Sequence, residues 1–143
     1  MKQICVIEDD PWLGQLLELS LLQVFADAQI NRFDKLQPAL NHLRGQPLDL
    51  LLCDLKLPDG SGLDALSLAM QRHPKSFRVL ISSHIERHSV QAAIHAGATD
   101  FIAKPFSIDS LLDRFQRYGA SPGQAPVTSH LGNLDDFLKQ RLQ

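Results

Sequence analysis

Leu50-Leu51-Leu52-Cys53-Asp54-Leu55-Lys56-Leu57-Pro58-Asp59-Gly60-Ser61-Gly62 runs from four apolar side chains straight into a carboxylate, then into a loop punctuated by proline and glycine. A short apolar run closed by turn residues reads as a strand buried on both faces, the kind found in parallel sheets. Three other runs have the same form: Ile4-Cys5-Val6-Ile7 ends in Glu8-Asp9, Val79-Leu80-Ile81 in Ser82, and Phe101-Ile102-Ala103 in Lys104. Open α/β sheets bind ligands beyond the carboxyl ends of their strands. Four strands ending in carboxylates, a hydroxyl and an ammonium therefore describe one site, suited to a metal ion and a phosphoryl group.

Helical patterns separate the strands. Asp10-Pro11 offers an N-cap followed by proline at the first helical position, and Leu13, Leu16, Leu17, Leu21 and Val24 then recur at helical spacing, which predicts a helix over 11–25. Residues 28–33 read as a second strand and 36–44 as a short helix with Gly45 just past its end. The third strand covers 48–53, and residues 54–62 form a tight non-helical loop. Leu63, Leu66 and Met70 mark a third helix, closed at His73-Pro74. A strand over 78–81, a helix over 86–96 capped by Gly97, a strand over 100–103 and a helix over 107–118 complete the set.

Strict alternation with connections this short requires right-handed crossovers, so the fold class is α/β: a doubly wound five-stranded parallel sheet with helices on both faces. Of the two common doubly wound orders, five strands fit 2-1-3-4-5, with the switch point between the first and third strands. Glu8-Asp9 and Asp54 then face each other across one crevice.

The chain of 143 residues suffices for one well-buried domain, expected over 1–118. Composition turns linker-like over 119–130, and 131–143 reads as an amphipathic helix carrying Leu131, Leu134, Phe137, Leu138 and Leu142, a docking element or the start of a truncated output region. A net charge of −2 and a pI near 6.3 leave no electrostatic footprint for nucleic acid or an anionic membrane. With no apolar run near the ~20 residues of a membrane span and no signal peptide, a cytoplasmic location is expected. Cys5 and Cys53 fall in buried strands; with level strand ends they lie about three residues, roughly 10 Å, out of register, too far for a disulfide.

Three carboxylates around one crevice repel: two unit charges at 4 Å cost roughly 4 kcal/mol at an effective dielectric of 20. Proton uptake, the Lys104 ammonium or a hard divalent cation can neutralise them, and Mg²⁺ suits best because it accepts one or two carboxylates and keeps several waters. An Asp carboxylate is also a competent nucleophile toward phosphorus. Positioning and charge neutralisation are most of what such chemistry needs, and Lys104 with the Ser82 hydroxyl would add to the cation. Asp54, alone at the end of a central strand, is the expected nucleophile.

The chain resembles the receiver domain of two-component response regulators. The matching residues are Glu8-Asp9, Asp54 followed by Pro58-Asp59-Gly60-Ser61-Gly62, Ser82, Ala96-Gly97-Ala98 and Lys104-Pro105-Phe106, in order over about residues 3–117. The family has a flavodoxin-like (βα)5 fold with the strand order inferred above, so that order is not independent support. The resemblance implies that Asp54 accepts a phosphoryl group from a histidine kinase or histidine phosphotransfer protein. It implies Mg²⁺ on Asp9, Asp54 and the Lys56 backbone carbonyl, with Glu8 acting through water. Ser82 would follow the phosphoryl group, Lys104 would pair with it, and Lys104-Pro105 would be cis. Phe101 matches the aromatic that turns inward on activation, while Lys56 and His84 match positions that tune the lifetime of the phosphorylated state. Ser82 stands where threonine is commoner, and Phe101 where tyrosine is frequent.

The leading expectation is a phosphorylation-dependent switch that is not itself an enzyme and repacks the face of the fourth helix, fifth strand and fifth helix to control an output partner or a homodimer. A Mg²⁺-dependent phosphatase would need a second Asp two residues after the nucleophile, where Lys56 stands. A phosphorylation-independent adaptor is the alternative, although such proteins usually lose an acidic ligand or the lysine. His84 and His88, four apart, read as surface histidines without a third ligand. Asp49 and Asp59 read as solvated loop residues.

Overall fold

The computed structural model describes residues 2–83 and 86–120. Its main sheet has five parallel strands: β1 (Gln3–Ile7), β2 (Gln29–Phe33), β3 (Leu50–Asp54), β4 (Phe77–Ser82) and β5 (Asp100–Ala103), in the order β2-β1-β3-β4-β5. Five helices connect and follow them: α1 (Pro11–Val24), α2 (Leu36–Gly45), α3 (Gly62–Arg72), α4 (Arg87–Ala96) and α5 (Ile108–Ala120). This is the flavodoxin-like (βα)5 architecture expected from the alternation.

Side chains alternate across a strand, and the two faces of this sheet carry two separate apolar layers. Cys5, Ile7, Leu51, Cys53, Leu80 and Phe101 join residues of α2, α3 and α4 on one face. Ile4, Val6, Leu50, Leu52, Val79, Ile81 and Ile102 join residues of α1 and α5 on the other. All five residues of β3 are buried, as are all six of β4, which is why residues 50–53 and 79–81 within them read as unbroken apolar runs.

Local signals start and stop the elements. Asp10 caps α1, its Oδ1 accepting from Trp12 N at 2.9 Å and Leu13 N at 3.3 Å, with Pro11 leading the helix. Gly97 ends α4 in the left-handed region at φ 106°, where a side chain would be strained. α5 runs to Ala120, two residues past the expected end; the linker and amphipathic helix expected beyond it lie outside the described residues.

Several details differ from the sequence reading. Gly45 is the last residue of α2 rather than the one beyond it. Residues 54–62 are not a featureless loop: Lys56–Leu57 pairs antiparallel with Gly60–Ser61, and Gly62 already belongs to α3. Ile7 pairs with Cys53, so the cysteines are two residues out of register rather than three, because β1 ends before Glu8 while β3 continues through Asp54; both remain free thiols. Asp49 and Asp59 are structural rather than merely solvated: Asp49 accepts from Gln3 N at 2.7 Å, and Asp59 accepts from two amides of α2.

Candidate functional site

Strand register brings the polar residues to one edge. Because Ile7 pairs with Cys53 and Asp54 with Ile81, Glu8, Asp54 and Ser82 follow one another across the carboxyl ends of β1, β3 and β4. Ser82 pairs with Ala103, and Lys104 N donates to Ser82 O at 3.0 Å, which fixes the lysine at the exit of β5. The Lys104-Pro105 peptide is cis.

The side chains meet in one ion-paired cluster. Lys104 Nζ donates to Glu8 Oε1 at 2.7 Å and to Asp54 Oδ2 at 2.8 Å. Glu8 and Asp54 are buried, whereas Asp9 is exposed at the rim. Asp10 N donates to Glu8 Oε2 at 3.2 Å, so both Glu8 oxygens are engaged. Burial raises the Glu8 carboxyl above its ordinary value despite the opposing ammonium of Lys104, and the nearby Asp54 charge adds to the rise. Burial alone would lower the Lys104 ammonium, but its hydrogen bonds to Asp54 and Glu8 outweigh that and hold it above its ordinary value. The lysine therefore stays charged throughout the neutral range.

Carboxylate oxygens of Glu8, Asp9 and Asp54 all lie within 4.8 Å of one another, a cluster of hard donors that fits a divalent cation such as Mg²⁺. A groove of about 410 Å³, lined by Glu8, Asp9, Arg32, Phe33 and Asp34 among others, opens beside it between α1 and the end of β2.

The other expected site residues are placed as follows. Ser82 is fully buried at the last position of β4. Phe101 is 2% exposed within the apolar layer that includes Val90, Ala93 and Ala98, so the ring faces inward. Lys56 is exposed two residues beyond Asp54, in the antiparallel pair with Ser61. His84 lies outside the described residues. His88 is an exposed residue 3.4 Å from Glu86, as a surface histidine would be.

Besides Asp49 and its bond from Gln3 N, sequence reading missed three polar arrangements that depend on distant chain segments. Asp59 reaches α2 across 23 residues. Arg78, at the opposite end of β4, is buried and donates to Gly97 O at 2.6 Å and Ser76 O at 2.8 Å, closing the carbonyl end of α4 against the loop after α3. Asp100 binds Arg114 through both carboxylate oxygens, at 2.7 and 2.8 Å, and accepts from Tyr118 Oη at 2.6 Å, locking α5 to β5. For Arg78 and Asp100 the one hint was a charged residue bordering an apolar run; for Asp59 there was none.

Residues 4–116 match the family model described as the response regulator receiver domain. The response regulator protein PilR of Pseudomonas aeruginosa is 35% identical over 110 residues, which are 77% of this chain and 24% of the relative. The transcriptional regulatory protein CitB of Klebsiella pneumoniae is 31% identical over 129 residues, 88% of this chain and 55% of the relative. The chain thus spans between a quarter and a little over half of these curated relatives. A crystal structure of a response regulator receiver domain from Rhodospirillum rubrum superposes with a TM-score of 0.74 at 25% identity, covering 87% of this chain and 96% of the other.

Proposed function

The chain belongs to the response regulator receiver domain family, and from that premise we propose that it is a phosphorylation-dependent signalling switch whose phosphoacceptor is Asp54. The observation that carries the assignment is the Lys104 ammonium bridging Asp54 and Glu8 beside the exposed Asp9. This arrangement holds one nucleophilic carboxylate next to a fixed positive charge.

A phosphohistidine of a histidine kinase or phosphotransfer protein presents phosphorus to an Asp54 oxygen. An O–P bond forms as the donor's N–P bond breaks, and the nitrogen keeps the electron pair. Three equatorial oxygens then carry charge that must be balanced. Lys104 turns its ammonium from the Asp54 carboxylate to a phosphoryl oxygen, and the Ser82 hydroxyl donates to another. Asp9, Asp54 and the Lys56 carbonyl would hold Mg²⁺, with Glu8 acting through water, and the cation would supply charge neutralisation at the phosphoryl oxygens. The inward pull on Ser82 is passed to Phe101 and the surface of α4, β5 and α5, which alters binding of an output partner or a second copy. Lys56 and His84, two residues past Asp54 and Ser82, set the rate at which water removes the phosphoryl group.

Intact-mass measurement after incubation with acetyl phosphate tests this reading. The expected result is a single phosphoryl adduct that requires Mg²⁺ and disappears in Asp54→Asn. A folded protein that forms no adduct would instead be an adaptor that works without phosphorylation.

A further inference from the structure

Helix α2 begins without a cap of its own. Its N-cap residue, Lys35, makes no side-chain hydrogen bond to the helix, and no acidic residue stands in the first turn. The first N–H groups of a helix lack intrahelical partners and usually find one on the residue just ahead. Here the partner comes from beyond β3 in the sequence: Leu36 N donates to Asp59 Oδ1 at 2.6 Å, and Gln37 N to Asp59 Oδ2 at 2.9 Å. The amides of Gln37 and Leu36 hold this exposed carboxyl below its ordinary range.

The neighbouring residue makes the same contact tighter. A Cβ on Gly60 would come 2.6 Å from Leu36 Cδ2, and Leu36 is itself 1% exposed. The Pro58-Asp59 turn therefore lies flat on the first turn of α2. That turn closes the antiparallel pairing of Lys56 with Ser61 and Leu57 with Gly60, and Lys56 stands two residues past Asp54. One carboxylate that touches none of the acidic cluster thus ties the segment leaving Asp54 to another element of the fold.

We propose that Asp59 is a positioning residue for the phosphoacceptor site, a latch that fixes the Lys56 segment by holding its turn to the N-terminus of α2. The inference rests on the proposed function, which assigns the Lys56 backbone carbonyl to the cation. A carbonyl has a defined direction, so its value as a ligand depends on how firmly its segment is held. A simple helix cap would stabilise α2 and leave the cation site unchanged; a latch makes affinity at the cluster depend on a contact made elsewhere.

Comparing wild type with Asp59→Ala and with Asp59→Ala/Lys35→Ser separates the two roles. The second substitution gives α2 a local cap, for which the extended backbone at residue 35 is suited, without restoring any hold on the loop. Three readouts are needed: the thermal midpoint, amide hydrogen exchange over residues 55–63 without cation, and Mg²⁺ affinity by calorimetry, followed in parallel by fluorescence of Trp12, the chain's single tryptophan. The expected result is a lowered midpoint, faster exchange and severalfold weaker Mg²⁺ binding in Asp59→Ala, with only the midpoint recovered in the double variant. Recovery of all three would reduce Asp59 to a helix cap and overturn the proposal, as would unchanged exchange in Asp59→Ala. A wild-type protein that binds no Mg²⁺ would overturn the proposed function and the cation half of this inference together, whereas normal Mg²⁺ binding in Asp59→Ala would overturn the inference alone.

Discussion

Lys104 Nζ sits 2.7 Å from Glu8 and 2.8 Å from Asp54, where it balances the charge of the two carboxylates. Two buried carboxylates a few ångströms apart are costly without a cation, and the ammonium supplies one from within the chain. Under the proposed function it would also compete with a divalent cation for the same oxygens. Lys104→Ala should therefore bind Mg²⁺ more tightly than wild type while forming the phosphoryl adduct at least tenfold more slowly, since the positive charge on the transferred group's other side is gone. Calorimetric titration and a time course of intact mass measure the two effects separately. Weaker Mg²⁺ binding in the variant would contradict the competition. The residues of this cluster were legible in the sequence because each ends an apolar run, and strand ends of a parallel sheet meet at one edge. Asp59 was not legible, because its partners on α2 are 23 and 22 residues away and nothing near it in sequence marks them.

Strands and helices were found to within two residues wherever an apolar run met turn chemistry, β3 running Leu50–Asp54 where 48–53 was expected. β5 was found to the residue, and Gly97 was found as the cap of α4. Boundaries slipped where burial continues past the apolar run: β4 extends through Ser82, a hydroxyl buried as completely as its apolar neighbours. The antiparallel pair after Asp54 escaped notice because Pro58 and Gly60 mark a turn equally well with or without flanking strand pairing. At this scale the critical junction is between β3 and α3. Gly62 N donates to Leu55 O at 2.8 Å, and a Cβ at Gly62 would overlap the Asp54 carbonyl oxygen and press within 2.8 Å of Cys53 Sγ. The obstacle is main chain, which cannot swing aside. Gly62→Ala should destabilise the fold by about 1–3 kcal/mol, as overpacking does, and displace the backbone that carries Asp54. Urea unfolding gives the first effect and loss of adduct formation the second; a variant as stable and as reactive as wild type would contradict the tight junction.

Across the whole molecule, the two apolar layers bury groups that would otherwise titrate in alkali. Burial pushes the Cys5 thiol from 9.0 up to about 12 and raises Cys53 well above 9.0. The Tyr118 phenol is raised well above 10.0 by burial and by the Asp100 charge beside it. All three shifts have one sign: the folded protein keeps protons that the unfolded chain releases. The stability these three groups contribute is therefore fully present below about pH 9 and falls as pH rises, by up to about 1.4 kcal/mol per pH unit for each group titrating. Lys104 adds to the loss above its ordinary value of 10.5, since the ammonium is held charged in the fold. Urea unfolding at pH 8 and pH 10.5 should show the drop, and Cys5→Ala should flatten its first part; an unchanged stability across that range would contradict the burial.

Asp54 is the carboxylate proposed to take the phosphoryl group. Glu8 and Asp54 both bond to Lys104, and Asp9 lies at the rim with them, so a mass increase alone does not choose among the three. Reduction of the acetyl phosphate-treated protein with borohydride converts an aspartyl phosphate to homoserine, and tandem mass spectrometry then locates it. The account predicts homoserine at position 54 alone, only in samples that contained Mg²⁺; homoserine at position 9, or a reduced glutamyl phosphate at position 8, would contradict it.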